Sequence, residues 1–421
     1  MRRSLVAAAA AAICATAFVA ATAPTAHAAT TSRIPAHVFA PYFEAYNGDS
    51  LSGLSSQSGD KFLTLAFVQT PSQGSCTVYF NGDTSMPIAS GTFGSDISAI
   101  RASGGDVIPS FGGYAADNGG TEIADSCTSV DSIAAQFEKV ITTYDVTRLD
   151  LDIEDNSLTN TAGIDRRNKA IKKVEDWAAA NGRLVEFSYT LPTTTAGLAD
   201  SGLAVLRNAV SNGARVDIVN MMTFDYYDGA AHNMATDTQT SANGLVSQLR
   251  ALYPGKTTAQ LWQMVGITEM IGIDDYGAAE TFTLANATTV TNWAKTQGIR
   301  SLSFWALQRD NGGCPGGGAA DNCSGVAQST WQFSKTMQTF TSGTTSTPPT
   351  TAPTTVPTTP PTTSPTTPPT TAPGTTTWAP YTAYTVGQIV TYGGKRYQCR
   401  QSHTSLPGWE PPNVLALWLP L

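Results

Sequence analysis

Histidine and charge are both scarce in this chain of 421 residues: four histidines, and only 13% Asp, Glu, Lys and Arg together. His27, His37, His232 and His403 lie far apart and build no H-x-x-E-H, so no metal site is expected. Lys and Arg never cluster, and the formal charge is −8. Neither a nucleic acid nor a membrane surface is therefore an expected partner. The chain also lacks G-x-S-x-G, a P-loop and G-x-G-x-x-G, which removes the cues for a serine nucleophile, a phosphate cradle and a dinucleotide fold. No cofactor is expected. Past the N-terminal segment no stretch is apolar enough to span a bilayer.

What is present begins with a leader. Residues 1–28 start with Arg2 and Arg3, continue as an Ala-rich apolar run and end in Ala26-His27-Ala28, the small-x-small pattern of a signal-peptidase site. Cleavage there gives a secreted, extracellular protein and moves the formal charge from −8 to about −10. The alternative reading is an N-terminal membrane anchor. Cys14 leaves with the leader. Among the five remaining cysteines, Cys314 with Cys323 in a Gly-rich loop is the easiest disulfide, Cys76 with Cys127 the next, and Cys399 is expected as a buried thiol.

Residues 342–377 are almost only Thr, Pro, Ser, Ala and Gly, uncharged, and hold ten of the 24 prolines. Such a composition cannot bury a core and is expected as a disordered, extended Pro/Thr linker. Before it, over residues 29–341, eight apolar β-rich runs alternate with helical patterns: 38–42, 62–68, 107–111, 149–154, 184–189, 216–224, 264–270 and 299–305. Ile133, Phe137, Val140, Ile141 and Tyr144 form one helical stripe; Ile164, Ile171, Val174, Trp177 and Ala178 form another. Repeated βα units predict an α/β fold, a (β/α)8 TIM barrel, with chemistry at the C-terminal ends of the strands.

Leu149-Asp150-Leu151-Asp152-Ile153-Glu154 is the most informative run. Strand alternation sends the three acids into the barrel and the aliphatics toward the helices. Three neighbouring carboxyls cannot all ionise in a low dielectric, so at least one should stay protonated and able to serve as a general acid. A solvated edge strand or a divalent-ion site is the bland alternative, but calcium sites draw their oxygens mainly from turns.

With these residues in view, the chain resembles the family 18 glycoside hydrolases, the bacterial chitinases. Ser110-Phe111-Gly112-Gly113 resembles the family's S-x-G-G, and Asp150 to Glu154 the core of its D-x-x-D-x-D-x-E. Met222-Thr223-Phe224-Asp225-Tyr226 resembles its sixth-strand substrate motif, and Trp305 its sugar-platform tryptophan. Two positions depart: Thr147 stands where the first acid would fall, and Phe224 where many relatives have Tyr. The resemblance implies a retaining, substrate-assisted mechanism with Glu154, Asp152 and Asp150 as catalytic residues. It also implies Met222, Asp225, Tyr226, Trp305 and Tyr42 as substrate-binding residues, Tyr226 being favoured for its strand parity with Met222. Ser110, Gly112 and Gly113 are expected to support the acidic strand rather than touch sugar.

Residues 378–421 are rich in aromatics and resemble the family 5/12 chitin-binding modules, small all-β domains. Trp409 and Trp418 are the expected ligand-stacking rings. The implied partners are insoluble chitin and chito-oligosaccharides, and the implied state is a monomer. Three readings compete with a chitinase. They are a non-catalytic chitin-binding lectin, an endo-β-N-acetylglucosaminidase acting on N-glycans, and a cellulase or xylanase, which would need two separated carboxylates.

Overall fold

One parallel sheet is curled shut by splitting its first strand. A computed structural model describes residues 31–345, 376–379, 382–400, 403–405, 410–412 and 417–421. The barrel strands are β1 (Pro35–Phe39), β2 (Tyr42–Glu44), β3 (Phe62–Gln69), β4 (Asp106–Gly112), β5 (Arg148–Asp152), β6 (Glu186–Thr194), β7 (Ile218–Met222), β8 (Val265–Met270) and β9 (Ser301–Trp305). Neighbours pair in parallel from β2 through β9, and β9 pairs with β1. The run expected as a single strand at 38–42 breaks at Ala40-Pro41. Ala40 donates to Leu302 on one side, and Pro41, which has no amide to give, accepts from Thr64 on the other. The two halves thus close the ring as one barrel position, giving a TIM barrel.

The helices bury the stripes read from the sequence. Ser129 caps Val130–Tyr144, whose Ile133, Phe137, Val140 and Ile141 are fully buried; Asn160 caps Thr161–Ala180, which buries Ile171 and Val174. Leu149, Leu151 and Ile153 face these helices in the main core, so Arg148, Asp150 and Asp152 face inward. At roughly 1.5–3 kcal/mol per buried aliphatic side chain, reversing this strand would be prohibitive.

Several expected boundaries move. The acidic strand stops at Asp152 and the sixth barrel strand at Met222, because the chain turns through left-handed φ at Asp155 (+36°) and Asp225 (+52°). At the expected linker's start, Ser342–Thr345 pairs antiparallel with β1; at its end, Thr376–Thr377 pairs with Ile389–Tyr392. The rest of the linker and the expected signal peptide lie outside the described residues.

Cys76–Cys127 and Cys314–Cys323 are both bonded, and Cys399 is buried. In the C-terminal unit, Ile389–Tyr392, Lys395–Cys399 and Trp418–Pro420 form an antiparallel sheet over Trp378, Tyr384, Val390, Tyr397, Cys399 and Trp418. Trp418, expected on the ligand face, is 0% exposed and therefore core: so small a domain needs its largest rings inside. Trp409 lies outside the described residues.

Candidate active site

Three layers stack up the barrel axis along β5. At the bottom, Arg148 pairs with Glu186, which also binds Arg300. Thr147, in the place of the family's first acid, is bonded to Ser32 at 3.0 Å and offers no carboxyl. The middle layer is Asp150, 2% exposed. Its Oδ2 accepts from Ser110 (2.7 Å) and Tyr42 (2.9 Å), and its Oδ1 from Thr190 (2.7 Å). Asn220 closes the ring, donating to Thr190 (2.9 Å), Thr268 (2.7 Å) and Tyr42 (3.3 Å). Burial raises the Asp150 pKa, and the three hydroxyl donors oppose that rise.

Above it, Asp152 is 4% exposed and its Oδ1 has no hydrogen-bond partner among the described residues. Burial and then the Glu154, Asp150 and Asp117 carboxyls hold its pKa well above the usual carboxylate range. Glu154 follows the strand end, half-buried at the mouth. Burial pushes its carboxyl up to about 7, helped by Asp155, Asp225 and Asp275 and opposed by the Tyr114 backbone amide. A carboxyl raised to about 7, a neighbour crowded by negative charge and a fixed carboxyl below it make a stack chemically able to hold and pass a proton.

Trp305 ends β9 within 5.8 Å of the Tyr42 ring and stacked on Phe67. The S-x-G-G motif makes room for this arrangement. A Cβ on Gly112 (φ +99°) would lie 2.0 Å from the Asp152 carbonyl oxygen, and Ser110 touches Asp150, so the motif supports the acidic strand as expected.

Met222, buried, ends β7. Asp225 accepts the Tyr276 amide (3.0 Å) and donates its own amide to Asp274 (3.2 Å). Burial and then Asp275 raise its carboxyl to about 7. Tyr226 is placed differently from the parity argument. With β7 ended and Asp225 left-handed, alternation no longer holds. Its ring packs 5.0 Å from His232, its hydroxyl has no hydrogen-bond partner among the described residues, and burial, then the Glu269 carboxyl that faces the helix Met234–Leu252 outside the barrel, raises its pKa. Thr190, Asn220 and Phe67 escaped the sequence reading. Strand parity could have flagged the first two, whereas nothing local marks Phe67. Among the described residues no group of three or more His, Cys, Asp or Glu side chains is arranged to hold a metal ion.

Comparison with known proteins agrees with this fold. Residues 38–339 match the model of glycosyl hydrolases family 18, and residues 377–419 that of carbohydrate-binding module family 5/12. The probable bifunctional chitinase/lysozyme of Escherichia coli is 33% identical over 293 residues, 67% of this chain and 32% of that protein. Over 45 residues, 11% of this chain and 6% of the other, the chain is 64% identical to chitinase A1 of Niallia circulans. The chain thus spans about a third or less of the length of these two relatives. The crystal structure of the catalytic domain of a hyperthermophilic chitinase from Pyrococcus furiosus superposes with a TM-score of 0.64 at 31% identity, covering 74% of this chain and 96% of that one. With its barrel, its acidic column and a family match across residues 38–339, the chain belongs to glycosyl hydrolases family 18.

Proposed function

We propose that this protein is a secreted chitinase that hydrolyses β-1,4 linkages between N-acetylglucosamine units with retention of configuration. The observation that carries the reading is the convergence of Asp150, Asp152 and Glu154 in one barrel mouth, with Glu154 able to hold a proton near neutrality. Glu154 gives its proton to the glycosidic oxygen as the C–O bond breaks, and the carbonyl oxygen of the sugar's own 2-acetamido group bonds to the anomeric carbon. Asp152 accepts a hydrogen bond from the acetamido N–H and offsets the positive charge of the resulting oxazolinium ion. Asp150, fastened by three hydroxyls, fixes Asp152 from below. Water then attacks the anomeric carbon, returns a proton to Glu154 and restores the acetamide.

Trp305 lies under the pyranose ring, while Met222 and Asp225 position the acetamido group. Tyr42 acts through Asp150. Tyr226, whose ring packs against His232, takes no substrate role in this reading. The C-terminal module holds the enzyme on insoluble polymer and raises local substrate concentration. Two disulfides suit export into an oxidising compartment, and the working unit is a monomer.

The test is product analysis from chitohexaose, with anomer assignment and a thiazoline mimic of the oxazolinium ion as inhibitor. Retained configuration, inhibition and an inactive Glu154→Gln are expected. Inversion, or turnover by Glu154→Gln, refutes the mechanism. Preference for a soluble N-glycoprotein over colloidal chitin refutes the substrate.

A further inference from the structure

Residue 154 is gripped by a short helix that no motif marks. Tyr114–Gly119 follows β4 through Gly112 and Gly113, and its Asp117, 1% exposed, accepts the Glu154 backbone amide on Oδ2. The next residue, Asn118, donates to Asp155 Oδ2 at 2.8 Å and accepts from Asn156 at 3.3 Å. Three successive residues of the loop after β5 are therefore tied to two successive residues of the helix. The loop needs the tie, because Asp155 sits at φ +36°, a conformation that L residues with a Cβ rarely adopt unaided.

Asp117 is a costly side chain to bury there. Its Oδ1 has no hydrogen-bond partner among the described residues, and Glu122, already held bidentate by the buried Arg167, is a second carboxylate beside it. A carboxyl kept in such surroundings has a local purpose, and the contact it makes with the loop after β5 is the Glu154 amide.

We infer that Asp117 is a positioning residue for the general acid: by accepting the Glu154 amide it fixes where that side chain leaves the backbone, and so its reach to the glycosidic oxygen. This rests on Glu154 being the general acid. Misplacement of a reacting group by about 1 Å costs on the order of a hundredfold in rate, so a lost tie should act on turnover more than on binding. An amide carbonyl can accept in the same place, so Asn should substitute for Asp117.

The experiment measures kcat and KM on chitohexaose, with melting curves, for Asp117→Ala, Asp117→Asn and Glu154→Gln. Asp117→Ala is expected to lower kcat about 10–100-fold with KM within about twofold, and Asp117→Asn to recover most of the loss. The inference is overturned if Asp117→Ala keeps wild-type kcat, if KM rises as much as kcat falls, or if Asp117→Asn is as impaired as Asp117→Ala. Should Asp117→Ala fail to fold, the exposed Asn118→Ala takes its place. A fall in kcat at unchanged melting temperature then supports the inference, and unchanged kcat overturns it. An active Glu154→Gln refutes the acid assignment itself, whereas an inactive one beside a fully active Asp117→Ala refutes only the positioning role.

Discussion

The rings of Phe67 and Trp305 lie 5.6 Å apart with planes 9° from parallel, and a Cβ on Gly113 would come within 2.6 Å of the Phe67 ring. The second glycine of S-x-G-G thus leaves space for the ring stacked on Trp305. Gly113→Ala must displace Phe67 and also adopt φ +86°. We expect a stability loss of about 1–3 kcal/mol from the forced contact, and a fall in kcat/KM of about tenfold as Trp305 loses its support. Melting curves and kinetics on chitohexaose measure both. Wild-type kcat/KM in this variant would show that the stack is unimportant to catalysis.

The alkaline limb of the pH profile should report Glu154. A general acid must be protonated to act, so kcat/KM is expected to fall as pH rises through about 7. Asp225 raises the Glu154 carboxyl and itself titrates near 7, so the limb belongs to the group of acids rather than to one residue. Asp225→Asn removes one of those negative neighbours and should move the limb to lower pH by about 0.5–1 unit. A limb that stays in place, or moves upward, would contradict the electrostatic account.

Hydroxyls around Asp150 should behave as a set. Thr190→Val takes the donor from Asp150 Oδ1 and leaves the Asn220 amide with one acceptor fewer, while Ser110→Ala takes a donor from Oδ2. Each is expected to cost about 1–3 kcal/mol of stability and to lower kcat, and the double variant should deviate from additivity because both act on one carboxyl. Strict additivity in both measurements would argue that Asp150 is held some other way.

Much of this was legible in the sequence because the relevant signals are local. Leu149, Leu151 and Ile153 alternate with Asp150 and Asp152 inside one strand, so period two alone orients the acids. Helical stripes such as Ile133–Phe137–Val140 are likewise short-range. The misreadings arise where the backbone leaves its regular path. Left-handed Asp225 breaks the alternation that would have aimed Tyr226 at the substrate, and Ala40-Pro41 splits a strand that reads as continuous. Trp418 looked like a binding ring because composition counts aromatics without saying which are core. Asp117 and Phe67 reach the site from a short helix and a strand 37 or more residues away from their partners. Only the closed barrel brings them together.

Glu269 supplies a stability test that does not depend on the chemistry. It is fully buried; its Oε1 accepts from Thr238 at 2.8 Å, its Oε2 has no partner among the described residues, and burial lifts its carboxyl from 4.5 to about 8. The unfolded chain would ionise this group near 4.5. Its contribution to stability is therefore complete below that pH and is lost as pH rises toward 8. Glu269→Gln carries the same acceptor for Thr238 but cannot ionise in either state. The amide inherits the unpartnered position of Oε2, a penalty that does not change with pH, so the informative quantity is how the difference between variant and wild type moves with pH. Between pH 5 and pH 8 we expect that difference to shift in favour of Gln by about 2–4 kcal/mol, read from denaturant unfolding at each pH. A constant difference, or a shift toward wild type at high pH, would mean that the carboxyl is ionised inside the fold.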